Sequence, residues 1–160
     1  MFALCLTGLM LFLVYNSMFA VANNGVPESI SESAYFFHPA AFTLICFVSA
    51  ICIWPLWTSL TPDEYQFCVF LSCAGTLLAG CSPYFKAERV QSIIHYTSGT
   101  ISIAFAALWL VLTHNYTPLA WIAGTGIVWT IFQPTRYTFI FENVSYSGIC
   151  ITLLHTAINL

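Results

Sequence analysis

The sequence predicts an all-α fold, a six-helix transmembrane bundle with an interfacial first loop, on three observations. Of 160 residues, 59% are hydrophobic and only 6% are charged, where soluble chains carry about 25% charged residues. The mean hydropathy is +0.85, which leaves too little polar surface to coat a sphere in water. The apolar residues fall into six runs divided by short turn-forming stretches, and spans of about 20 residues each leave only connections and ends outside the lipid. The whole chain, 1–160, is therefore expected to be a single, multi-pass integral membrane domain. Three Lys and Arg against six Asp and Glu, a formal charge of -3, exclude a nucleic-acid binder, because phosphate neutralisation needs clustered cations.

The first span, 2–22, stops at Asn23-Asn24-Gly25, a turn signal. Ala20-Val21-Ala22 has the small-residue pattern of a signal-peptide cleavage site. No cationic n-region precedes it and the apolar stretch outruns an h-region, so the segment is read as a retained span. The connection from Val26 to His38 is the longest non-apolar stretch, and Ser29 and Glu32 stand at capping-box spacing within it, predicting a short interfacial helix. The second span, 39–60, contains Pro55, a kink that a bundle tolerates, and Trp54 and Trp57 mark its approach to the interface. In Thr61-Pro62-Asp63-Glu64, Thr61 is expected to cap the third span, 65–81, and Pro62 suits its first turn. Ser82 to Arg89 leads into the fourth span, 90–113, and His114 to Pro118 turns into the fifth, 119–132. Gly124 and Gly126 in the fifth span predict close helix contact. Gln133 to Tyr137 then leads to the sixth, 138–158. The seven cysteines form no CxxC pair and are read as small apolar packing residues.

With six crossings, the first, third and fifth connections share one side of the membrane. Lys86, Arg89 and Arg136 all fall there, with Glu28, Glu32, Glu88 and Glu142, while Asp63 and Glu64 fall on the other side. The positive-inside rule would make the charged side cytoplasmic. Glu142 lies about one turn into the sixth span, where a carboxylate costs several kcal/mol unless it is paired or faces the protein interior. Arg136 can snorkel from the same helix end, Arg89 or Lys86 can reach across from the fourth span, and His95 lies at a similar depth. The cluster reads either as a packing device or as a site. Ser29, Ser31, Glu32 and Tyr35 in the first connection add acceptors and hydroxyl donors over the same mouth.

Pro27-Glu28-Ser29-Ile30-Ser31-Glu32 after a first span, followed by Ser92-Ile93-Ile94-His95-Tyr96-Thr97-Ser98-Gly99 opening the fourth, resembles the Frag1/DRAM/Sfk1 group of six-span proteins and its bacterial relatives. The resemblance covers most of the chain as architecture and implies a role in lipid or membrane homeostasis, with no catalytic mechanism to carry over. Ser29, Ser31 and His95 are the positions it matches, with Glu142 loosely comparable. It also implies an exoplasmic first loop, opposite to the side that the cations indicate.

The expected function is binding of a polar lipid headgroup or small amphiphile at the charged mouth. Lys86, Arg89 and Arg136 would attract an anionic group, Glu142 and His95 would orient them, and Ser29, Ser31, Glu32 and Tyr35 would cover the site. The expected partner is membrane lipid, and no cofactor is expected. One alternative is a lipid hydrolase with His95 as general base beside Ser29, Ser31 or a metal-bound water, and a group of His38, His95 and Glu142 is the metal set it would use. His155 lies 13 residues beyond Glu142, about 20 Å along a helix, too far to share an ion with it. A second alternative is a pore or small transporter formed by a homo-oligomer.

Overall fold

A computed structural model describes residues 1–132 and 137–159. The described residues form seven α-helices and no strand. They are α1 (Phe2–Ala22), α2 (Ser33–Phe36), α3 (Pro39–Ser59), α4 (Gln66–Gly80), α5 (Arg89–Leu112), α6 (Tyr116–Phe132) and α7 (Tyr137–Ile158). Three of them, α1, α3 and α5, are long and apolar enough to cross a membrane; α4 and α6 are shorter, at 15 and 17 residues.

Helix ends follow the local chemistry. At the end of α1, Asn24 (φ 55°) turns the chain left-handed, and the N–H groups of Asn24 and Gly25 close back on Val21 and Ala20, the Schellman arrangement. His114 (φ 59°) does the same for α5, with its N–H on Val111 and that of Asn115 on Leu110. Pro39 opens α3 at its first position, and His38 caps it by accepting the Ala40 N–H on Nδ1 at 3.2 Å. Helix α3 runs through Pro55 unbroken. Helix α6 begins at Tyr116, three residues ahead of the predicted start, because Pro118 falls in its first turn, where an N–H has no helical partner.

Two predicted caps are not made. Ser29 does not cap the turn at Ile30–Glu32; its hydroxyl pairs with that of Ser31 at 2.9 Å, and Glu32 is drawn to Lys86. Thr61 donates to the Trp57 carbonyl at 2.6 Å and accepts from Trp109 Nε1 at 2.9 Å, so it ties α3 to α5 instead of capping α4. Trp57 is not an interface marker either. It is 1% exposed and packs edge-on against Trp109, ring centroids 5.4 Å apart.

Neighbouring long helices alternate in direction and meet where a side chain is missing. A Cβ on Gly8 would lie 2.5 Å from Cys52 Cβ, and one on Gly80 would lie 2.6 Å from Cys46 Cβ. At Gly75 it would lie 2.6 Å from the Ser98 carbonyl and 2.8 Å from the Ser102 nitrogen, so α4 and α5 touch backbone to backbone. Gly124, one of the two glycines expected to mark contact, faces open space, and Gly126 makes only ordinary contact with Phe141. Five of the seven cysteines are buried packing residues, all seven are free, Cys46 is half-buried and Cys81 is exposed. Large apolar side chains also cover the outside of the long helices, among them Met10, Leu44, Phe70, Ile93, Ile127 and Ile151.

Gly75→Ala is expected to destabilise the fold by about 1–3 kcal/mol, because rigid backbone stands where the methyl would go. Gly124→Ala is expected to be neutral or to stabilise by up to about 1 kcal/mol. Thermal unfolding of both variants in detergent micelles checks the pair.

Candidate functional site

The first connection is fastened across one end of the molecule by backbone polar groups and short side chains. Ile30 donates its N–H to Glu142 Oε2 at 2.7 Å, and Phe139 donates its N–H to the Glu28 carbonyl at 2.9 Å, both from the start of α7. Tyr15 of α1 donates to Ser33 Oγ at 2.7 Å, and Ser33 in turn donates to the Ile30 carbonyl at 2.6 Å. The 82–88 connection joins from the other side. Lys86 Nζ pairs with Glu32, the Lys86 N–H donates to Tyr35 Oη at 2.7 Å, and Phe85 meets the Tyr35 ring edge-on at 5.4 Å. Phe85 also stacks on His95 at 4.2 Å. The hydrogen bond to Glu32 raises the Lys86 pKa above its ordinary value, opposed by the smaller effect of burial.

Beneath this cover lies a cavity of about 180 Å³ with a predominantly apolar surface. Ser31, Phe42, His95 and Glu142 stand at the covered end, Phe42 with its ring 5.8 Å from that of His95; Phe12, Ile53, Ile103, Ala106, Ile122 and Ile149 supply apolar wall further along. On α3 the wall extends from Phe42 to Trp57, 15 residues or about 22 Å of helix. Ser72 and Thr76 of α4 face it too, but their hydroxyls are satisfied: Ser72 donates to the Ser102 carbonyl at 2.9 Å and Thr76 pairs with Ser102 Oγ at 2.8 Å. Tyr146 donates to the Ser49 carbonyl at 3.2 Å. Two wall groups have no hydrogen-bond partner among the described residues, Ser145 Oγ and Trp57 Nε1, on residues 8% and 1% exposed.

The nine residues expected at the site divide into layers. Ser31, His95 and Glu142 line the cavity. Ser29, Glu32, Tyr35 and Lys86 belong to the cover above it. Arg89 opens α5, exposed and without a side-chain partner among the described residues. Arg136 lies outside the described residues. Trp57, Ser145 and Tyr146 were not foreseen, although Ser145 and Tyr146 follow Glu142 at i+3 and i+4 and so share its helix face.

His95 is held through one ring nitrogen. Its Nδ1 sits 3.2 Å from the Ala79 carbonyl, and since a carbonyl only accepts, Nδ1 carries the proton. Among the described residues no hydroxyl bonds to its ring, and the Ser29 and Ser31 hydroxyls are engaged with each other, so the base–nucleophile contact of a hydrolase is not made. His38 caps α3 instead of joining His95 and Glu142, and the described residues contain no group of three or more His, Cys, Asp and Glu able to hold a metal ion. The cavity is predominantly apolar, with the Glu142 carboxylate at its covered end. No protein-family model, curated protein or solved structure matches the chain significantly.

Replacing Glu32 by Gln is expected to cost no more than about 1 kcal/mol at neutral pH, because Lys86 is largely exposed and such pairs are screened. A lysine whose pKa is raised by folding contributes stability that is complete below its unfolded value of 10.5 and fades as pH climbs through the folded value. The difference in melting temperature between wild type and Glu32→Gln should therefore shrink above pH 10.5, which a pH series of thermal unfolding curves measures.

Proposed function

We propose that the chain is a six-span membrane protein that binds a small amphiphile in the cavity between its helices, with the polar head at the Glu142 end. The single observation that carries the reading is the cavity itself, an elongated apolar slot whose one carboxylate stands at the end roofed by the first connection. The six-span architecture rests on helix length and on exposed surface. Besides the three helices of spanning length, α4, α6 and α7 carry large exposed apolar groups such as Phe70, Trp121 and Ile151, a surface suited to lipid and too apolar for water.

The charged end contains Glu28, Glu32, Lys86, Glu88, Arg89 and Glu142, and the segments that resemble the Frag1/DRAM/Sfk1 group, Pro27–Glu32 and Ser92–Gly99, both contribute to the cavity lining, Ile30 and Ser31 from the first and His95 and Gly99 from the second. That convergence supports a role in lipid or membrane homeostasis. Among the described residues no hydroxyl bonds to the His95 ring, and the Ser29 and Ser31 hydroxyls pair with each other, which favours binding over hydrolysis.

Gly99 provides the test. It shares a cavity-facing stripe with His95 and Ile103, and a Cβ there meets nothing within 4 Å, so Gly99→Leu is expected to fill the slot without disturbing the helix. Native mass spectrometry of the protein extracted from membranes should show a defined small lipid retained by wild type and by Arg89→Ala and missing from a folded Gly99→Leu. The same unselective mixture of lipids on all three proteins would overturn the reading.

A further inference from the structure

Resting on the cavity reading above, we propose that the amphiphile has a cationic amine head, bound by the free carboxylate oxygen of Glu142 and by Ser145 Oγ. Glu142 Oε2 is committed to the Ile30 N–H at 2.7 Å, an interaction that fixes the plane of the carboxylate and leaves Oε1 to the cavity that Glu142 lines. Among the described residues the only ion pair is Lys86 with Glu32, so no described cation neutralises Glu142. A carboxylate in an apolar slot is costly to leave without a counter-charge.

Ser145 supplies the second, independent observation. It lies three residues beyond Glu142 on the same face of α7, is 8% exposed, lines the same cavity and has a hydroxyl without a partner among the described residues. An ammonium carries three donors and no acceptor. One of these can reach Glu142 Oε1 as a charge-assisted hydrogen bond and another the Ser145 oxygen, with the cover above closing over the head. An anionic head fits the same place badly. It would face the carboxylate across a medium of low dielectric, and the described cations are not at the cavity: Lys86 pairs with Glu32, and Arg89 is exposed and not among the residues that line it. Below the head, Phe12, Ile53 and Ile149 line a passage suited to a single hydrocarbon chain.

The experiment titrates dodecylamine, dodecanol and dodecanoate, three probes with one chain and different heads, into the protein in lipid nanodiscs at neutral pH. Binding is read by the fluorescence of the cavity-wall Trp57 and by native mass spectrometry. Dodecylamine is expected to bind saturably and more tightly than the other two. Glu142→Gln, which keeps an oxygen for the Ile30 N–H, should weaken dodecylamine by about tenfold or more, the worth of a charge-assisted hydrogen bond, and leave dodecanol within about twofold. Ser145→Ala should weaken dodecylamine by a smaller factor. If dodecanol or dodecanoate binds as tightly as dodecylamine, or if Glu142→Gln leaves the amine unchanged, while Gly99→Leu still blocks uptake, the amine head is wrong and the cavity reading stands. If none of the probes saturates, or if Gly99→Leu takes them up like wild type, both fall together.

Discussion

The hydrogen bond from the Ile30 N–H to the Glu142 carboxylate joins parts of the chain that are 112 residues apart, and much of the covered end depends on it. It gives the turn at Ile30–Glu32 a fixed seat on α7, beside the bond from Phe139 to Glu28. With that turn seated, Ser31 faces the cavity, Glu32 meets Lys86, and Tyr35 takes the Lys86 N–H. It also gives the carboxylate a reason to be where it is. A charge about one turn into an apolar helix needs a donor, and a backbone amide on a short polar connection supplies one without introducing a second charge.

The rest of the assembly is held by contacts that do not rely on sorting apolar from polar surface. Leu and Ile lie on both the inside and the outside of these helices, so hydrophobicity alone gives little preference for one face over another. Close approach at Gly8, Gly75 and Gly80 and hydroxyl bonds to carbonyls of other helices, such as Thr43 to Gly80 and Ser72 to Ser102, supply the specificity, as small and hydroxylated residues do between helices in lipid. Trp57, Trp109 and Thr61 form a similar polar clasp at the opposite end.

Helix positions were legible because turn-forming residues interrupt the apolar runs, and most predicted boundaries lie within one or two residues of those observed. Partners were less legible. Gly124 and Gly75 look alike in a sequence, and only the neighbouring helix distinguishes a contact from an open face. Capping-box spacing at Ser29 and Glu32 lost to a competing lysine in the chain's third connection. The aromatic-belt argument failed at Trp57 because an indole also packs well against another indole inside the protein. At the site, counting depth from the helix ends grouped Glu142 and His95 with Arg89, of which only Glu142 and His95 line the cavity; Ser31 was read from the first connection, and Ser145 and Tyr146 required the helical face of Glu142 to be traced one turn further.

Cys81, just beyond the last turn of α4, is the one cysteine that is exposed, while five of the others are buried and Cys46 is half-buried. It lies at the end that carries the first connection and Lys86. The natural chain thus presents a thiol-selective handle at its covered end, so a membrane-impermeant maleimide added to sealed vesicles would report which compartment that end faces without any engineered residue.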